Sequence, residues 1–395
     1  MPSKPIRLAF VVSHPVQYYA PFYRRLATRH DVRIRIFFTW HAGEAPAHDP
    51  GFQQAFAWDI RLTDGYDYEL VPNLARDPGT HHFWGLRNPS LIDRLLSWKP
   101  DAVHLTGYAF YSHLMAIRRL SQRDVPVLFR GDSHLLDKQQ KGLRWELKRF
   151  VLRKIYRSIT GFLYVGKNNY DYYRTFGVPE SRLFRCPHSI DVNRFAESND
   201  QLEAEARRWR KEMRISESAK VLLYAGKFEP KKQPLQLMKA VSSMTISDLV
   251  LVLVGSGQLE KQVRHIAAEH PDMFRVLPFQ NQSLMPVVYR LGDVFTLPSA
   301  YDETWGLAAN EALASGRRVL VSSKVGCAPD VVESKADGYI FISGDWADFQ
   351  TKLRDLFQKP ADPAALRARA ARFNIDVTER ALYHALEVIL PRRRV

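Results

Sequence analysis

The chain has only two cysteines, Cys186 and Cys327, among 395 residues. Two thiols cannot supply the bridge network of a small secreted fold, and they suit a reducing cytoplasm. No apolar run approaches the roughly 20 residues that a membrane-spanning helix needs. The longest, LVLVLVG at 249–255, reads as one buried strand. Near the N-terminus LAFVV is broken by His14-Pro15, which makes a poor signal peptide. Chemical signatures are missing as well. There is no Asp-x-Asp to hold a metal-bridged diphosphate, no Cys/His cluster with zinc spacing, and no Gly-x-Ser-x-Gly hydrolase elbow. GFLYVGKN at 161–168 imitates a P-loop, but an apolar strand fills the turning positions and Asn168 replaces the magnesium-binding hydroxyl.

Acidic residues are also in short supply, 42 against 57 Lys and Arg, for a net charge of +15. The deficit is concentrated early. Residues 1–190 hold 28 basic against 16 acidic residues, and the remainder 29 against 26. The first half therefore presents a positive field to an acidic partner such as a phosphate or an anionic membrane face. Nucleic acid is not the expected partner, because no helix-turn-helix, zinc-finger or RNP-like sequence is present.

Short apolar runs alternate with amphipathic stretches. RLAFVVS (7–13), VRIRIFF (32–38), AVHL (102–105), VLFR (127–130), GFLYV (161–165) and LFRC (183–186) read as strands, with helices between most of them. Asp64-Gly65, between WDIRL and YDYEL, reads as a hairpin. After PHSIDVNRF the rhythm restarts with KVLLYAG, LVLVLVG, FRVL, DVFTLP, RRVLVSS and GYIFI. The expected organisation is α/β: a Rossmann-like domain at 1–187, a linker at 188–200, and a second Rossmann-like domain at 201–375. The amphipathic C-terminal stretch, about 375–395, packs on either domain and is assigned to the first. Ligands are expected beyond the carboxyl ends of the strands.

Four strand-end loops of the second half suit one ligand. In YAGKFEPKKQP (224–234), Gly226 turns the backbone and Lys227, Lys231 and Lys232 precede a helix starting near Pro234. Lysines beside unpaired helix N–H groups suit phosphate. VGSGQLE (254–260) adds a small-residue turn at Gly255, and LPFQNQ (277–282) adds Phe279 and Gln280. The fourth is YDETWGLAANEALASG (301–316). Here Trp305-Gly306-Leu307 opens a helix whose first N–H groups lack partners, Glu303 lies just before it and Glu311 one turn inside.

At these residues the second half resembles the nucleotide-sugar domain of retaining glycosyltransferases of family 4, which have the GT-B architecture. The resemblance rests on Gly226-Lys227-Phe228 with Lys232-Gln233, and on Pro298-Ser299, Glu303-Thr304-Trp305-Gly306-Leu307, Glu311-Ala312, Ala314 and Gly316. It departs from the family in Lys227 for arginine, in Thr304 for glycine, and in a first-strand loop, SHPVQYYAP, without glycines. It implies two Rossmann-like domains facing each other across a cleft, a nucleotide-diphosphate sugar donor, and no cofactor or metal. Lys227 and Lys232 would hold the diphosphate with help from the Gly306 and Leu307 N–H groups. Glu311 would bond the ribose, Glu303 the donor sugar, and Phe279 and Gln280 would lie by the base. The expected activity is transfer to a glycan or lipid-linked acceptor in surface polysaccharide or glycolipid assembly. A GT-B sugar-nucleotide epimerase or hydrolase is the alternative, and a nucleic-acid-binding protein ranks third.

For the acceptor, His14, Gln17 and Tyr18 lie in the loop after the first strand, and Tyr108 follows AVHLT. The FRGDSH stretch (129–134) offers Asp132 and His134 as catalytic candidates, an Arg130–Asp132 pair being the plainer reading. KQQKGLRWELKRFVLRKIYR (138–157) carries eight basic residues and one acidic, Glu146. Leu143, Leu147, Phe150 and Val151 share one helical face and are expected in the core, while Trp145 and the basic residues suggest docking on the anionic inner face of the cytoplasmic membrane, a solvated basic face being the equal alternative.

Overall fold

The computed structural model of the protein describes residues 4–40, 47–49, 54–56, 58–137, 141–197 and 199–390. Positions 138–140 of the basic stretch, 198 of the linker and 391–395 of the C-terminal stretch lie outside the described residues. The chain divides into two units. The first comprises Met1–Ala45, Arg61–Ser189 and Ile375–Val395, the second Pro46–Ile60 and Ile190–Asn374.

In chain order the first strands are β1 (Ile6–Val12) and β2 (Val32–Phe38), then β3 (Ala47–Asp49) and β4 (Gln54–Phe56), which form an antiparallel pair. The first unit continues with β5 (Tyr68–Leu70), β6 (Ala102–Thr106), β7 (Val127–Gly131), β8 (Gly161–Tyr164) and β9 (Leu183–Arg185). Its seven-stranded sheet runs β5-β2-β1-β6-β7-β8-β9, all parallel. Helices cover both faces, so β1 is buried almost throughout rather than alternately, as its unbroken apolar sequence demands. The chain runs outward from β1 to β2 and returns to β6, so this sheet reverses direction between β1 and β6.

The expected hairpin at Asp64-Gly65 is corrected. A turn is there, with Gly65 at φ +85°, but β5 joins the sheet edge parallel to β2 and WDIRL forms no strand. Leu62 and Tyr66 are instead buried, Tyr66 giving its hydroxyl proton to the Leu62 carbonyl and packing edge-on against Tyr23 at 5.3 Å. Burial of two anchors wins over pairing.

The core assignment of the helix Leu143–Arg157 is corrected as well. Trp145, Leu152 and Tyr156 are its buried residues. Trp145 meets Phe176 at 5.3 Å, and Tyr156 meets Phe162 at 5.1 Å in an edge-to-face contact. Leu143, Leu147, Phe150 and Val151 point to solvent. The helix has two apolar arcs on opposite sides, and the larger aromatic payload decides which one is covered.

The second unit contains β10 (Lys220–Ala225), β11 (Leu249–Val254), β12 (Phe274–Leu277), β13 (Val294–Leu297), β14 (Arg318–Ser322) and β15 (Gly338–Phe341). Its parallel sheet runs β12-β11-β10-β13-β14-β15. The direction of winding reverses between β10 and β13, and such reversals open a crevice at the carboxyl ends of the strands.

The stretch expected to link the domains carries the helix Val192–Ala196, whose first turn is capped by the Asp191 carboxylate. Ile190 donates to the Phe373 carbonyl at 2.9 Å and pairs with Asn374, so the two ends of the Ile190–Asn374 segment lie side by side. The helix Ile375–Ile389 belongs to the first unit. There Glu379 bonds Arg25 at 3.0 Å and Thr378 donates to the Pro187 carbonyl at 3.1 Å.

Candidate functional site

In the second unit the candidate residues gather where the winding reverses. The loop after β10 is folded by its own backbone. The Tyr224 hydroxyl donates to the Lys227 carbonyl at 2.6 Å, and the Phe228 N–H donates to the Ser256 carbonyl at 2.8 Å. Gly226 and Gly255, at neighbouring strand ends, approach so closely that a methyl group on Gly255 would overlap the Gly226 carbonyl. The loop after β13 joins them, because the Ala300 N–H donates to the Lys231 carbonyl at 2.8 Å.

Lys232 and Glu303, 71 residues apart, form an ion pair at this junction. Ser299 donates to the same carboxylate oxygen at 2.8 Å. Both charged side chains are largely covered, 16% and 14% exposed. Burial pushes the Glu303 carboxyl up, but the Lys232 charge and the bonds from Lys232 and Ser299 outweigh it and hold the group below the usual range. Each partner has a strained neighbour: Gln233 sits at φ +55° and Asp302 at φ +53°. Left-handed backbone costs a non-glycine residue about 1–2 kcal/mol. Two such residues beside one ion pair mark a loop junction shaped for something other than stability.

Gly306, at φ +97°, precedes the helix Leu307–Ala314, where a side chain would strike Leu297 and Val325. The first-turn N–H groups of this helix have no partners within it. Trp305 does not offer its ring to a ligand. The indole is buried and donates to Asn310 at 3.1 Å, which leaves the backbone of this residue as its possible contribution.

Glu311 is the opposite case from Glu303. It is 2% exposed, accepts from the Tyr289 hydroxyl at 2.6 Å, and has Arg194 3.9 Å from its other oxygen. That oxygen, Oε1, has no hydrogen-bond partner among the described residues. Burial lifts the carboxyl to about 7 against the smaller opposing effects of Tyr289 and Arg194. The two glutamates thus contribute to stability with opposite signs. Glu303 stabilises fully above the ~4.3 of an unfolded carboxyl and loses this as pH falls through its lower folded value. Glu311 costs nothing below ~4.3 and progressively more as pH rises toward 7.

Lys227 is half-buried on the β10 loop, and Phe279 is half-buried on the loop after β12. Gln280 donates to the Pro278 carbonyl at 3.2 Å.

In the first unit, the candidates lie at the carboxyl ends of β1, β6 and β7, three adjacent strands. His14 bonds Ser13 at 2.9 Å and meets the Trp40 ring edge-on at 5.4 Å. Gln17 and Tyr18 are half-buried in the following turn. Tyr108 exchanges a hydroxyl bond with Tyr172 at 3.0 Å. Asp132 is half-buried in the loop after β7, whereas His134 is buried and accepts from the Leu136 N–H at 3.2 Å. Arg130 has its own task. It reaches the Cys186 carbonyl at 2.8 Å, the Pro187 carbonyl at 3.2 Å and the Tyr19 hydroxyl at 3.3 Å, tying β7 to the chain's exit from this unit. Burial opposes the charge of the guanidinium, which is held by the Tyr19 hydroxyl and by the Cys186 and Pro187 carbonyls.

Sequence reasoning missed four supporting residues: Arg194, Tyr289, Ser299 as a partner of Glu303, and Gly326. The Gly326 N–H donates to the Glu303 carbonyl at 3.0 Å, and Val325 pairs with Glu303 in a parallel bridge. Only Ser299, inside the quoted Pro-Ser step, carried a local signal.

Comparison with known proteins agrees with this geometry. Residues 205–373 match the family model of group 1 glycosyl transferases, and residues 63–187 match that of the glycosyl transferase 4-like domain. A D-inositol 3-phosphate glycosyltransferase from Geodermatophilus obscurus is 30% identical over 224 residues, 53% of this chain and 48% of the relative. The chain thus spans about half the length of the curated relatives it matches. Among solved structures, a glycosyltransferase from Rickettsia africae superimposes with a TM-score of 0.72 at 14% identity, covering 99% of this chain and 100% of that one. HepE from Anabaena, solved in complex with UDP and glucose, superimposes with a TM-score of 0.68 at 13% identity, covering 97% and 99%. Two doubly wound sheets and family matches over most of the length establish that the chain belongs to the group 1, family 4-type glycosyltransferases of GT-B fold.

Proposed function

We propose that this protein moves a sugar from a UDP- or GDP-linked donor to a glycan or lipid-linked acceptor, retaining the anomeric configuration and using no metal ion. Surface polysaccharide or glycolipid assembly is the setting we infer. The observation that carries the reading is the Lys232–Glu303 pair where the winding of the second unit reverses. The UDP and glucose bound to HepE, a protein of the same fold, support a nucleotide-sugar ligand.

Breaking the anomeric C–O bond leaves negative charge on a diphosphate and positive charge on the sugar. We assign Lys227, Lys232 and the helix N–H groups at Gly306 and Leu307 to the diphosphate, where fixed charges cost no reorganisation as the bond breaks. Glu303 orients Lys232 and takes the donor sugar's hydroxyls, Glu311 takes the ribose, and Phe279 and Gln280 lie by the base. Gly255 lets the backbone approach closely. We assign His14, Gln17, Tyr18 and Tyr108 to the acceptor and keep Asp132 and His134 as catalytic candidates of the first unit. The acceptor attacks the face the leaving group departs from, so no protein nucleophile is required.

Calorimetric titration with UDP, GDP and ADP tests this. Binding of one of them, with an unchanged signal when a chelator is present, is expected. Binding of none would remove the reading, and release of an altered free sugar without an acceptor would point to an epimerase or hydrolase. The anomeric configuration of the product, read by NMR, decides retention.

A ribose diol donating to Glu311 would favour its carboxylate. Nucleotide binding near pH 7 is therefore expected to release about half a proton, because the group starts near half-protonated. Binding enthalpies measured in two buffers of different ionisation heat read this directly. A release that persists in Glu311→Gln would assign the proton elsewhere.

A further inference from the structure

The helix Leu143–Arg157 exposes an apolar stripe facing away from Trp145, Leu152 and Tyr156. Leu143 is 87% exposed, Phe150 69%, Leu147 61% and Val151 44%. At 3.6 residues per turn these four lie within an arc of about 100°, together with Lys154. Arg144 borders the arc on one side and Arg153 and Arg157 on the other, all exposed. A contiguous exposed patch rimmed by charge marks an interaction surface.

A second observation adjoins it. Arg153, Arg157 and Arg182 line a concavity of about 320 Å³, with no acidic residue in its wall among the described residues. Arg182 is fixed there by the Tyr156 carbonyl at 2.6 Å and by the Ile159 carbonyl. Gly177, at φ +81°, lets the Arg153 side chain fold closely over the loop.

We propose that this helix lies in the boundary between headgroups and acyl chains of an anionic bilayer. The Leu143, Leu147, Phe150 and Val151 stripe enters the acyl region, and the arginine concavity takes a lipid phosphate. Lys154 reaches past the stripe to the headgroups on its aliphatic stem. Charge complementarity selects this occupant. A second copy would press one basic face on another, since Glu146 is the single acidic side chain of the helix, whereas an anionic leaflet attracts each Lys or Arg near its surface.

Vesicle flotation at low salt tests the proposal. The protein is expected to float with vesicles of phosphatidylcholine mixed with phosphatidylglycerol and not with phosphatidylcholine alone. Leu147→Ser/Phe150→Ser should lower partitioning about ten-fold, and Arg153→Gln/Arg157→Gln about thirty-fold. Circular dichroism and the unfolding midpoint should stay unchanged, because these side chains are exposed. A protein that stays in the soluble fraction with both vesicle types overturns the proposal, as do variants that float as well as the parent. So does a stripe variant whose only change, by light scattering, is from dimer to monomer.

Discussion

Lys232→Ala is expected to cut turnover of a nucleotide sugar by about 10²- to 10³-fold, the loss seen when one preorganised donor to developing negative charge is removed. It should also weaken nucleoside diphosphate binding. The substitution has a second effect, because it strands Glu303 as an unpaired and largely covered carboxylate. Breaking a fully buried pair costs about 3–5 kcal/mol. The cost here should be smaller, since 14–16% of each side chain remains exposed. The two effects separate in a double variant. Lys232→Met/Glu303→Leu removes the stranded charge, so it should recover much of the stability while turnover stays low. Turnover within ten-fold of the parent in Lys232→Ala would take the lysine out of the chemistry. The lost stability should itself depend on pH. The parent holds the advantage of the pair above ~4.3, and the gap between parent and Lys232→Ala should close in more acid solution.

Gly326→Ala should be nearly as damaging, and through geometry alone. The new methyl group would overlap the Thr304 carbonyl, a backbone atom with no rotamer to escape into. The Gly326 N–H also holds the Glu303 carbonyl at 3.0 Å, so relief of the overlap must displace the segment that presents Glu303 to Lys232. A stability loss of about 3 kcal/mol is expected, together with more than ten-fold weaker nucleotide binding. Gly344→Ala is the control. That glycine sits at φ +85° with nothing near its missing side chain, so only the backbone cost of about 1–2 kcal/mol applies. Equal midpoints for the two variants, with nucleotide binding retained, would show that the loop yields freely.

What was legible in advance follows from how local each signal is. VRIRIFF and LVLVLV proclaim buried parallel strands by composition, and β2 and β11 begin and end where those runs do. Strand-end loops with lysines or glycines before a helix were readable for the same reason. Spacing alone, however, identifies a face of a helix and not what lies against it. Leu143, Leu147, Phe150 and Val151 make a regular stripe, yet Trp145 and Tyr156 bury more surface and take the core side. Contacts between distant residues were out of reach. Arg130 meets carbonyls 56 and 57 residues away, and nothing around FRGDSH announces them. The Tyr289 bond to Glu311 joins two helices, neither of which carries a polar pattern of its own.

The adjacency of Ile190 and Asn374 has a consequence for synthesis. The larger segment of the second unit, Ile190–Asn374, is closed between neighbouring ends, and Pro46–Ile60 is made before it, so the whole unit has emerged once residue 374 leaves the ribosome. The first unit begins earlier yet needs the helix Ile375–Ile389 to supply Thr378 and Glu379 to its surface. Domains generally fold in the order they are made. Here the part started first is finished last, so the nascent chain must carry an incomplete first unit for as long as translation of the second one takes.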